Sequence, residues 1–80
     1  MTDPLSDLAR QLPAMVDLGQ VDEATTVDAL AEQASWRAGR LQETALQLQQ
    51  DPDVTPRTVA LLYRAADFVA ARRRDRWRGR

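Results

Sequence analysis

The chain has 80 residues, 44% of them hydrophobic, a net charge of −1, and neither cysteine nor histidine. A chain of this length makes at most one domain, buries only about 60% of its unfolded surface, and draws roughly 3–5 kcal/mol from one core. Without cysteine and histidine it has no disulfide, no ordinary zinc, haem or iron–sulfur site, and no Ser-His or Cys-His nucleophile. No metal, cofactor or small-molecule substrate is expected.

The charge is unevenly spread. Residues 1–71 hold five Arg against eleven Asp or Glu, a net −6, and residues 72–80 hold six Arg and one Asp, a net +5. The N-terminus carries Asp3, Pro4 and Asp7 where a secretion signal carries basic residues and then an apolar run. The longest apolar stretch, residues 59–71, contains Arg64 and Asp67 and is too short to span a bilayer. A soluble, cytoplasmic protein with no membrane contact is expected.

In chain order, the first segment opens with Asp3 as N-cap and Pro4 at the first helical position. Leu5, Leu8, Leu12 and then Met15 or Val16 recur at helical spacing. Pro13 lacks an N–H and restricts Leu12, which predicts a break or kink there, and Gly19 is the expected stop.

The second segment has Thr25 or Thr26 as its expected cap and Asp28 in the first turn. Val27, Leu30, Ala34, Ala38, Leu41, Ala45 and Leu48 form one stripe, which predicts a single helix over residues 26–50. Gly39 weakens its middle by about 1 kcal/mol relative to Ala.

Asp51-Pro52-Asp53 ends that helix. Its first residues resemble the start of a calcium loop, but Pro56 and Leu62 stand where such a loop needs Gly and Glu, so the reading is rejected. The third segment starts with Thr55 as N-cap, Pro56 at the first position and Val54 placed to staple onto Val59. Val59, Leu62, Tyr63, Ala66, Val69 and Ala70 form one stripe, with Leu61, Ala65 and Phe68 beside it. A helix over residues 56–77 is predicted, with more apolar surface than one neighbour can cover. The fold class is therefore all-α: a small bundle of two long antiparallel helices plus a shorter N-terminal helix broken at Pro13. Residues 1–71 form the domain, and residues 72–80 are an Arg-rich extension of the last helix.

Two groups of residues stand out as binding candidates. Arg72, Arg73, Arg74, Arg76, Arg78 and Arg80, with Trp77 among them, exceed what a helix C-terminus needs to balance its dipole. The pairs Arg72–Arg76 and Arg74–Arg78 even oppose helix formation, so a polyanion, nucleic acid included, is a fitting partner. Trp77 also lines up with Val59, Ala66 and Ala70, which slightly favours core or subunit packing over base stacking. The second group is Trp36, Arg40, Leu61 and Phe68. On a continuous helix Trp36 points away from the apolar stripe, among Glu32, Arg40 and Glu43. It is then either an anchor for a partner, covered by the N-terminal segment, or flat against Arg40. The carboxylates Asp22, Glu23, Asp28 and Glu32 read as decoration of a helix start rather than as an acid–base pair.

No enzymatic activity is expected. The leading reading is a protein-interaction module, an adaptor, inhibitor or regulator such as phages encode, binding another protein or itself as a homodimer. A DNA-binding regulator is the first alternative, using the Arg-rich tail and the third helix, where Arg57 and Thr58 stand at the start. A structural subunit of a larger assembly is the second.

Overall fold

Pro4 opens α1 (Pro4–Asp17), the first helix of a computed structural model that describes residues 4–78 and the side chains at 4–12 and 14–74. Asp3, the expected cap, lies outside the described residues. The break expected at Pro13 is absent: the backbone is helical from Pro4 to Asp17. An interior proline costs about 3 kcal/mol, but the apolar face spans it. Leu5, Ala9 and Leu12 are buried on one side of it, and Met15 packs against the core on the other. Tertiary burial holds the two halves in one helix. Gly19 ends the helix as expected. At φ +74° it donates to the Val16 carbonyl while Gln20 donates to that of Met15, both at 3.0 Å, a left-handed C-terminal closure suited to glycine.

The largest departure comes next. Instead of one helix over 26–50 there are two, α2 (Glu23–Gln33) and α3 (Ala38–Gln49). The cap of α2 is Asp22 rather than either threonine, with its Oδ1 accepting from the Thr25 N–H at 2.7 Å. Thr26 is instead a buried helical residue whose hydroxyl donates to the Asp22 carbonyl. The helix closes when Ser35 donates to Glu32 and Trp36 donates to Ala31, at 3.0 and 2.8 Å. This is the closure seen at Gly19, built without glycine, and it holds Ser35 at φ +56° and Trp36 at φ +58°.

The last helix, α4 (Pro56–Arg78), follows a turn in which the Asp51 carboxylate accepts from the Asp53 N–H at 2.9 Å. Thr55 precedes the helix as expected, its carbonyl accepting from Thr58 N–H. Val54 and Val59 are both half-buried against the core. α4 packs most extensively against α3, then α2, and also touches α1.

The break has a packing reason. Leu5, Leu30, Leu41 and Leu62, one from each helix, are all but fully buried in a single core cluster. In an unbroken helix Leu30 and Leu41 would lie about 16 Å apart along the axis. Turning the chain at 35–37 lets both α2 and α3 close on α4. Alanines at 9, 31, 34, 45, 65 and 66 are buried between the helices and permit close approach. The shorter segments also enclose α4 on more than one side, so Leu61 and Ala65 are buried within the chain. No helix among the described residues is long and apolar enough to cross a membrane.

Ion pairs among the described residues tie the elements together. Arg10 of α1 meets Asp51 at 2.6 Å, and on α4 Arg57 pairs with Asp17 and Arg64 with Glu23. Two consequences of this local chemistry are measurable. Left-handed backbone costs a non-glycine residue roughly 1–2 kcal/mol, part of which glycine returns as unfolded-state entropy. Ser35→Gly is therefore expected to stabilise the fold by about 0.5–1 kcal/mol, raising Tm by a few degrees. A lowered Tm would contradict the left-handed turn.

The second concerns pH. Hydrogen bonding from Thr25 holds the Asp22 carboxyl below its ordinary value of 3.8. Arg10 and the Asp53 N–H do the same for Asp51. Because both folded values are depressed, their stabilising contribution is complete above the ordinary value and is lost as pH falls through the folded values. Thermal melts should show a steepening loss of stability below about pH 4, and Asp51→Asn should make that loss shallower.

Candidate interaction surface

The turn that divides α2 from α3 also sets the most distinctive surface of the protein. Trp36 stands on it 37% exposed, and Phe68 of α4 is 39% exposed. Their ring centroids are 5.9 Å apart at an interplanar angle of 44°, a tilted aromatic contact. The Arg72 guanidinium carbon lies 4.5 Å from the Trp36 centroid, over the ring, within cation–π range. Trp36 is left partly exposed, and α4 supplies both of these ring partners.

Around this cluster runs an open groove lined by Ser35, Trp36, Arg37, Val69, Arg72 and Arg73. The core ends at its floor, with Val69 buried and residues 71–74 exposed. Phe68 itself lines a smaller depression with Glu23, Ala24, Val27 and Arg64. Arg37 is the N-cap residue of α3, a position that sets its exposed side chain at the groove.

The other candidates are distributed differently. Arg40 lies in a separate recess along α3 with Arg37, Gly39, Glu43, Thr44 and Gln47. Leu61, expected as a partner contact, is 4% exposed and belongs to the chain's own core, because α4 has three neighbours rather than one. The expected apolar stripe of Leu61, Ala65 and Phe68 therefore reaches the surface only at Phe68. Arg72, Arg73 and Arg74 are exposed, and the helical backbone continues to Arg78. The side chains of Arg76, Trp77 and Arg78, and the whole of Arg80, lie outside the described residues. At the start of α4, Thr58 is buried and Arg57 is paired with Asp17.

Arg37 and the Trp36–Arg72 contact were not foreseen. The four-residue break at 34–37 that creates them contains no glycine or proline to announce it, and Arg37 gave no signal on a continuous helix. Among the described residues no group of His, Cys, Asp or Glu is arranged to hold a metal ion. The chain matches no protein-family model, and neither a curated protein nor a solved structure is significantly similar to it.

Proposed function

We propose that the protein is a small, non-enzymatic, cytoplasmic interaction module, an adaptor, inhibitor or regulator, that holds a partner protein on its Trp36–Phe68–Arg72 face. The observation that supports this reading most is the presentation of Trp36. A bulky residue in the left-handed region is a costly conformation, of order 1–3 kcal/mol, that persists where the surroundings over-determine it and that clusters at functional sites. Here it keeps an indole half-exposed beside a second exposed aromatic, with arginines around both, and Trp and Arg are the residues that dominate interface energetics.

The test is a comparison of two full-length baits, native and Trp36→Ala, in extracts of the native host, with quantitative mass spectrometry of what each retains. A protein retained by the native bait and lost from the variant is the expected result. Identical sets would remove the Trp36 face from the proposal.

Nucleic-acid binding is the alternative, favoured by the exposure of Arg72, Arg73 and Arg74 at the end of α4. Against it stand the net −6 of the body, which repels phosphate, and the engagement of Arg57 and Thr58 within the fold. Titration of labelled duplex DNA at two salt concentrations separates the two. Tight binding with a steep salt dependence, about −0.9 per phosphate contact in log–log slope, would favour the alternative.

A further inference from the structure

We infer that the groove beside Trp36 binds an acidic peptide segment carrying an apolar anchor side chain, a proposal that rests on the interaction-module reading above. Among the described residues the groove is lined by three arginines, Arg37, Arg72 and Arg73, together with Trp36, Val69 and Ser35, and by no carboxylate. Elsewhere in the protein arginines are spent on the fold: Arg10, Arg57 and Arg64 each pair with an acid of another element. The three groove arginines have no such partner among the described residues. Three cations around one apolar floor, beside residues 1–71 with their net −6, give the groove a local positive charge. Carboxylates of a partner are the complementary groups.

The stacking of Arg72 on Trp36 sharpens the match. A guanidinium laid on an aromatic face keeps its N–H edge free and pre-orients it for two-point bonding to a carboxylate. The exposed parts of Trp36 and Phe68 then offer contact to an apolar side chain, the anchor that places the acidic residues in register.

Two other occupants fit less well. Single-stranded nucleic acid is held by stacking bases on open aromatic faces, and Arg72 already occupies a face of Trp36. A long polyanion would also run onto the acidic exposed face of α2 with Asp28 and Glu32. A two-fold contact centred on the groove would bring Arg37, Arg72 and Arg73 close to the same residues of the second copy, a like-charge juxtaposition that costs several kcal/mol.

The experiment is a selection from a random library of peptides about twelve residues long against immobilised full-length protein, with binding of the selected peptides then measured by fluorescence anisotropy. The expected consensus combines several Asp or Glu with one large apolar residue. Trp36→Ala should weaken its binding by about thirtyfold, the effect of a strong interface anchor. Arg72→Glu, at an exposed position and with its fold checked by circular dichroism, should weaken it by about tenfold or more. Replacing the apolar anchor of the peptide by serine should have a comparable effect. A neutral or basic consensus that still requires Trp36 would overturn the acidic-peptide inference and leave the interaction-module reading standing. Binding that ignores Trp36→Ala would overturn both. A lack of any enrichment, or displacement of the selected peptide by a dT oligonucleotide of equal length at lower concentration, would also overturn the inference.

Discussion

Leu62→Ala is expected to leave the protein largely unfolded at 37 °C. Leu62 is fully buried in the second turn of α4, the helix that touches all three others. Removing a buried leucine side chain loses its transfer free energy and leaves a cavity that the neighbours fill only partly, together about 2–5 kcal/mol. Leu5, Leu30 and Leu41 converge in the same cluster from three different helices, so no single movement closes the hole. One core in a chain this short supplies roughly 3–5 kcal/mol, and the loss is of the same size. Urea denaturation followed by circular dichroism should show a large fall in the midpoint with the slope unchanged. Leu46→Ala, at a position 56% exposed, is the control and should shift stability by less than about 0.5 kcal/mol. A Leu62→Ala loss no greater than that of the control would mean that the four helices do not share this core.

Trp36→Ala is expected to separate binding from folding. Trp36 contributes a tilted contact with Phe68 and a cation–π contact with Arg72. At an exposed site each is worth about 0.5–1.5 kcal/mol at most. The left-handed backbone at residue 36 remains strained with alanine there, so no compensating gain offsets the loss. Stability should therefore fall by about 1 kcal/mol, a few degrees in Tm for a domain of this length. Partner affinity should fall by about 2–4 kcal/mol, the range of a central aromatic anchor. Calorimetry of the free variant and its affinity for the captured partner, measured on the same preparation, give the two numbers. A Tm loss of ten degrees or more would make Trp36 a structural residue, and an unchanged affinity would take it out of the interface. Arg72→Gln should show the same pattern with smaller amplitudes, since it removes the cation and spares the ring.

Much of the architecture was legible along the chain. The all-α class, the end of α1 at Gly19 and the start of α4 at Pro56 followed from apolar spacing and from residues whose backbone chemistry has few alternatives. Glycine accepts a positive φ without cost, and proline after threonine fits the first turn of a helix and little else. The absence of cysteine and histidine was equally a matter of sequence. These features are local, so they need no knowledge of what packs where.

Only the tertiary structure decided the rest, and in each case because burial outweighed a local preference. Pro13 lies within a helix since the core holds the apolar face on both sides of it. Ser35 and Trp36 take a conformation that neither prefers, because a turn there lets Leu30 and Leu41 enter one core with Leu5 and Leu62. That turn moves Trp36 from the back of an imagined helix to a groove facing α4, sets Arg72 over its ring, and encloses Leu61. Helical periodicity records which face of a segment is apolar. It holds no information about where two apolar faces, joined by a short connection, can both be satisfied, and the surface around Trp36 is a product of that second condition.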